Sequence, residues 1–147
     1  MIVEALQYIL TTDPGMIAFL GTPTSRPDST NGVFPVMALD QVSMPYIVVS
    51  EVTGAPLFMT YAGDGNLSGE RWRISCYGTT YLNAKKLAKY VARFLKKLLG
   101  PQPAGNIIIA VATKVMEADD AISIGKGTLF STHVDFKFVY DILNPSL

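Results

Sequence analysis

The sequence is short of cysteine, histidine and charge, and each shortage removes a class of function. Its 147 residues include one cysteine, Cys76, and one histidine, His133, which excludes an internal disulfide and a structural Cys/His zinc site. Any Ser–His–Asp or Cys–His site would have to use His133, yet no nucleophile-elbow motif accompanies it. We therefore predict that the protein is not an enzyme and uses no metal or cofactor.

Long hydrophobic runs and a signal-like segment are also missing. The apolar stretch from Ile2 to Leu10 is too short to span a bilayer and contains Glu4 and Gln7. The start at Met1 lacks a positively charged leader with an apolar centre. We expect no membrane contact, and a reducing cytoplasm is the default compartment.

The scarcity of charge points to assembly rather than to nucleic acid. Only 16% of the residues are charged while 49% are hydrophobic, and the formal net charge is zero. A neutral chain is not an electrostatic binder of nucleic acid as a whole. Surplus apolar surface of this kind often ends in subunit contacts.

One stretch near the middle of the chain predicts a strand followed by a long helix. Alternation in Arg71–Tyr77 places Trp72, Ile74 and Cys76 on one face, as in a strand covered on one side. Gly78 ends the strand, and Thr79 or Thr80 is a natural N-cap. Apolar residues at helical spacing then predict a helix from Ala84 to Leu98, stopped by Gly100 and Pro101.

That helix carries half of the twelve cationic side chains on the face opposite its apolar residues. They are Lys85, Lys86, Lys89, Arg93, Lys96 and Lys97. Three interpretations stay open: a solvated outer face, a contact with an acidic partner such as a neighbouring subunit, or a nucleic-acid element. The third needs aromatic or amide side chains on the same face, and Tyr90 is the only candidate.

The remaining elements predict a single α+β domain over residues 1–147. A short N-terminal helix ends near Thr12, and Asp13 with Pro14 opens a second one that Gly21 closes. An exposed loop over residues 22–32 precedes the first of six predicted strands. The strands lie at Val33–Leu39, Tyr46–Val52, Leu57–Ala62, Arg71–Tyr77, Asn106–Met116 and Thr132–Ile142.

Two loops in this scheme contain both glycine and acidic residues. The strands at 57–62 and 71–77 form an antiparallel hairpin whose tip contains four candidate contact residues, Gly63, Asp64, Gly65 and Asn66. The stretch from Glu117 to Gly127 reads as an acidic, glycine-bearing loop. The prediction is a mostly antiparallel sheet with the long helix packed on one face and a short N-terminal helical segment.

The order of these patterns resembles the tail-completion, or tail-terminator, proteins of long-tailed bacteriophages. The segment Ile2–Gly21, the strand Met44-Pro45-Tyr46-Ile47-Val48-Val49-Ser50-Glu51 and an aromatic-rich last strand carry the resemblance. The strand Glu70–Tyr77 followed by the helix Ala84–Leu98 adds to it. The loops at 22–32 and 117–127 depart from the family pattern, so no loop contact is carried over.

The resemblance implies a non-enzymatic virion protein at the head-proximal end of a tail, assembled in the host cytoplasm. Such proteins form a ring, here expected to be a hexamer, which ends the tail tube and docks to the head connector. Its partners would be copies of itself, the tail tube protein and the head–tail connector protein, without specific nucleic-acid binding. The alternatives are another connector or tube component, or a small cytoplasmic binding module that uses the cationic helix.

Overall fold

The computed structural model describes residues 2–38, 42–52, 67–124 and 127–142. Three helices form within them: α1 (Ile2–Thr12), α2 (Pro14–Leu20) and α3 (Tyr81–Leu95). Six strands accompany them: β1 (Val33–Pro35), β2 (Tyr46–Glu51), β3 (Leu67–Gly78), β4 (Gly100–Pro101), β5 (Ile107–Ile124) and β6 (Gly127–Ile142).

The strands build one sheet in the order β1-β2-β3-β6-β5-β4. All neighbours are antiparallel except β1 and β2, which run parallel. The predicted α+β class, with a mostly antiparallel sheet, is confirmed. β1 lies at an edge, where Pro35 is tolerated because proline has no N–H to donate to a second neighbouring strand.

The helices cover one face of the sheet and bury a shared core against it. Trp72 and Ile74 of β3 lie opposite Phe136 and Val134 of β6, and all four are buried. Cys76 is fully buried in the same layer, as its place in the alternation predicts. From the helices, the largest fully buried side chains are Ile2, Leu6, Leu10, Met16, Leu87 and Leu95.

Both predicted helix N-caps are present. An Asp13 carboxylate oxygen accepts the Met16 N–H at 3.0 Å, and Thr80 Oγ1 accepts the Asn83 N–H at 3.1 Å. The helix after Thr80 ends at Leu95, three residues earlier than predicted. There the Leu98 N–H donates to the Leu95 carbonyl, so the chain tightens into a turn with three-residue spacing.

The prediction of an acidic loop from Glu117 to Gly127 is wrong. β5 continues to Ile124 and β6 begins at Gly127, so the two form one long hairpin. The loop prediction relied on the acidic side chains, whose carboxylates are here bound by groups on α3, β5 and β6. Correspondingly, the strands expected at Asn106–Met116 and Thr132–Ile142 are both longer than predicted.

Three smaller differences concern the ends of elements. β1 stops at Pro35, short of the predicted Leu39, because the backbone turns at Val36. Gly100 and Pro101, expected in a connection, pair with Ile109 and Ile108 as β4. The predicted strand at residues 57–62 lies outside the described residues, and so do Gly63, Asp64, Gly65 and Asn66 at its hairpin tip.

Arg26 organises the segment that the sequence predicts as an exposed loop. Its side chain is buried and donates hydrogen bonds to the main-chain carbonyls of Leu20, Ser43 and Pro45. It also forms an ion pair with Asp28 at 2.9 Å. The hydrogen bond from Arg26 is the main cause that holds the pKa of Asp28 well below its ordinary value. The segment is therefore tied to the entry of β2.

Candidate assembly surfaces

The cationic residues of α3 do not share one environment. Lys85 points to β5, where its Nζ lies 2.6 Å from Glu117 Oε2 and 3.2 Å from Asp119 Oδ1. Lys114 lies 3.2 Å from the other oxygen of Glu117. Lys85 was predicted on the face opposite the packed side, but here it links the helix to the sheet.

This ion-pair group favours the charged forms of Glu117 and Asp119. The hydrogen bond to Glu117 is the main cause that raises the pKa of Lys85, and the same bond chiefly lowers the pKa of Glu117. Burial alone would raise the pKa of Asp119, but hydrogen bonds from Thr132, Lys85 and Tyr81 outweigh it and lower that pKa. These contacts explain how an acidic sequence sustains a strand.

The other five cations of this group, Lys86, Lys89, Arg93, Lys96 and Lys97, are exposed. Lys89, Arg93 and Lys96 border a shallow depression of about 280 Å³ that also contacts Lys114 and Glu117. Tyr90 is not free to stack on a base, because its hydroxyl donates to Asp13 Oδ2 at 2.5 Å and its ring packs near Phe19. The surface can attract an anionic partner, while the Tyr90 hydroxyl is already bound within the protein.

The sheet face opposite the helices holds a buried carboxylate. Asp135 is fully buried and accepts hydrogen bonds from Arg71 at 2.7 Å and from Arg73 at 2.8 Å. Burial would raise the pKa of Asp135, but the bonds from Arg73 and Arg71 lower it. His133 lies on this face with its Nδ1 2.7 Å from Ser75 Oγ, and burial chiefly lowers its pKa. These groups satisfy one another across β3 and β6.

β5 presents an open edge along most of its length. β4 pairs only with Ile108 and Ile109, so in the described part of the chain residues 110–124 have no strand on their outer side. The Ala121 N–H is bound instead by Asp120 Oδ1 at 2.8 Å, which marks main-chain groups that face away from β6. An exposed edge of this length is a template for association.

The edge at β1 is closed. The Gly32 carbonyl and the Val36 N–H bond to β2, so alternation turns the main-chain groups of Val33 and Pro35 outward. The Val33 N–H binds Asn31 Oδ1 at 3.1 Å, and the Val33 carbonyl accepts from Gln7 Nε2 at 3.0 Å. Pro35 has no N–H, and its carbonyl accepts the Met37 N–H at 2.7 Å. Each outward main-chain group of β1 is thus bound or absent.

Exposed apolar side chains occur beside both edges. Val36 and Met37, which follow β1, are 75% and 72% exposed, the highest values among the large hydrophobic residues of the described chain. Val36 has φ of 67° at the centre of a three-residue turn, a conformation that β-branched residues rarely adopt. On β5, Val111, Val115 and Met116 are exposed and form what we term the β5 apolar patch.

The sequence suggested that exposed sheet edges could mediate assembly, but it did not predict that one edge is closed and that the other carries an apolar patch. The signal for the closed edge was present in Asn31 and Pro35, a local side-chain acceptor and a residue without an N–H. The role of Gln7 was not readable, because its partner is 26 residues away. The β5 apolar patch was hidden because its alternation is broken by bulges at Ala110 and Val115.

The described ranges also bear on metal binding and on membrane crossing. They contain no group of three or more His, Cys, Asp or Glu side chains placed to hold a metal ion. Within the same ranges, no helix is long and apolar enough to cross a membrane.

The sequence matches no protein-family model and no curated protein. The fold does match solved structures. One is a chain described as the virion of a native gene transfer agent (GTA) particle, with a TM-score of 0.63 and 15% sequence identity. The match covers 95% of this chain and 92% of the other. At this identity it shows that this chain shares the fold of a chain in that virion.

Proposed function

We propose that this chain is a structural protein of a phage-like particle, and that about six copies form a ring that ends a tail tube and joins it to a head. The observation that carries the proposal is the fold shared with a virion chain over nearly the full length of both. The sequence resemblance to tail-terminator proteins supports the same role by a separate route.

The surfaces of the molecule suit assembly better than catalysis. The polar cluster around Asp135 and His133 is satisfied internally, and the described residues bring no nucleophile to His133 apart from serine hydroxyls that it contacts within the sheet. Open strand edge and exposed apolar side chains are instead features of proteins that associate. A ring requires a contact between two unlike surfaces that closes by rotation.

The direct test is the mass of the purified protein together with negative-stain images. The proposal predicts discrete rings with a mass roughly six times the 15.9 kDa of one chain. Protein that stays monomeric at high concentration, and rings absent from particles, would contradict it. Addition to polymerising tail tube protein separates the related roles: a terminator stops tube growth, whereas a tube subunit is incorporated along the tube.

A binding module that uses the cationic helix is the second candidate, favoured by the exposed Lys86, Lys89, Arg93, Lys96 and Lys97. It predicts a monomer retained on DNA with steep salt dependence, since phosphate contacts release counterions. The hydroxyl of Tyr90, the aromatic side chain that this interpretation would use to stack on a base, is instead bound to Asp13. A DNA-binding assay over a salt series, run beside the mass measurement, decides between the two.

A further inference from the structure

We infer that neighbouring copies meet through unlike edges of the sheet, with Val36 and Met37 of one copy packed on the β5 apolar patch of the next. The inference rests on the proposed ring and names the surfaces that would form it. It follows from the state of the main chain at each edge, from the exposed apolar side chains and from the distribution of charge.

At the β1 edge the contact has to be made by side chains. The outward groups of Val33 are bound by Asn31 and Gln7, and Pro35 offers no donor, so an added strand would find no main-chain partner there. The turn at Val36 holds two large apolar side chains away from the fold. Backbone strain of this kind persists where the surroundings impose it and is concentrated at functional positions.

The β5 apolar patch is suited to receive side chains. The register with β6 shifts between Ile109 and Val111 and again between Lys114 and Met116, so Ala110 and Val115 are extra residues in the edge strand. Bulges twist an edge strand and interrupt regular pairing with a second strand. They leave Val111, Val115 and Met116 as 37% to 48% exposed side chains on an edge without a strand neighbour in the described chain.

Charge favours contact between unlike edges over contact between two β5 strands. Glu117, Asp119 and Asp120 follow the patch, and these three carboxylates outnumber the two lysines, Lys85 and Lys114, that contact them, so two β5 edges placed side by side in parallel would bring like charges close to each other. Residues 33–38 around the Val36 turn contain no charged side chain. The second copy therefore meets the β5 edge through an uncharged segment, and the two surfaces lie on opposite sides of the central strands β3 and β6 in the strand order. Such a head-to-tail contact can close into a ring.

The test uses one variant for each surface and a matched control. Met37→Asp removes the first surface, and Val115→Asp removes the second without touching a paired position of the ladder. Leu82→Asp is the control, because Leu82 is 58% exposed but lies on α3 outside both surfaces. Circular dichroism and thermal unfolding establish that each variant is folded, and analytical ultracentrifugation measures its assembly.

Each single variant should weaken ring formation about tenfold or more, since an ionised carboxylate replaces an apolar contact, while Leu82→Asp still forms rings. A mixture of Met37→Asp with Val115→Asp should give dimers that stop growing, because each pair retains one intact contact and loses the next. If both Met37→Asp and Val115→Asp form rings as readily as the wild type, this inference is overturned and the ring proposal still stands. A wild-type protein that forms no ring would overturn the proposed function itself, and a β5-to-β5 dimer would overturn both.

Discussion

The two edges of the sheet differ in how they treat main-chain groups that have no strand neighbour. At β1 the outward main-chain groups are bound by Asn31 and Gln7 or removed by Pro35, yet Val36 and Met37 stand exposed beside it. At β5 the main chain is open over residues 110–124, and bulges and acidic side chains limit which strand could add there. The difference makes the two edges unlike surfaces, as the proposed head-to-tail contact requires.

Both edges belong to a sheet that is held by the core under the helices. Leu95→Ala, a truncation in that core, should have the largest effect on the free energy of unfolding. Leu95 is fully buried on α3, and its truncation should lower the free energy of unfolding by about 2–5 kcal/mol. Denaturant unfolding measures this loss. Lys96→Ala, at an exposed position next to it, is the control and should cost under about 1 kcal/mol. Equal effects of the two variants would contradict the packing described for α3.

In the middle of the sheet, between the two edges, Asp135→Asn should lower the stability of the fold. This variant keeps the size of the side chain but removes the charge that binds Arg71 and Arg73, which are partly exposed and can turn to water. We expect a loss of about 1–3 kcal/mol in the free energy of unfolding at neutral pH.

The same carboxylate gives a pH test with a defined sign. The pKa of Asp135 is lower in the folded state than its unfolded value of about 3.9. Its contribution is therefore present above pH 3.9 and lost as pH falls through the folded-state pKa. The difference between wild type and Asp135→Asn should shrink on acidification. A difference that grows toward low pH would contradict the arrangement of Arg71 and Arg73 around Asp135.

The sequence predicted the fold better than the surfaces. Local features could be predicted because they depend on neighbours close in the chain. They include the alternation of Trp72, Ile74 and Cys76 and the N-caps Asp13 and Thr80. The strand at 117–124 was missed because the Glu117 and Asp119 carboxylates are bound by Lys85, 32 and 34 residues away. The closed edge at β1 likewise depends on Gln7, whose distance in sequence hides its role.

The closed edge can be opened by Asn31→Ala, which removes the acceptor of the Val33 N–H. We expect a loss of about 1 kcal/mol and faster amide exchange at Val33. Asp120→Ala is the matched change at β5, where it removes the acceptor of the Ala121 N–H at an exposed position. Asp120→Ala should lower the free energy of unfolding by less than Asn31→Ala does, because the β5 edge is already open to water. If the two variants cost the same, the two edges do not differ as described.

The smallest expected effect concerns the cations that β5 does not use. Reversal of Lys86, Lys89 and Lys97 to Glu should leave the fold intact, with a change under about 1 kcal/mol, and should leave DNA affinity unchanged. Lys85→Glu is the contrast, because it would place a third carboxylate beside Glu117 and Asp119. Strong, salt-dependent DNA binding that the triple reversal abolishes would favour the binding module over the tail protein.

Disulfide cross-linking across the two edges tests the central claim most directly. The only natural cysteine, Cys76, is fully buried, and burial raises the pKa of its thiol. Cross-links should therefore form only between introduced cysteines. Met37→Cys combined with Val111→Cys, Val115→Cys or Met116→Cys should give, for at least one pair, an oxidised ladder of bands up to about six subunits. Met37→Cys with Leu99→Cys is the control and should give none. A ladder that stops at two, or no cross-link from any pair, would contradict head-to-tail assembly through unlike edges.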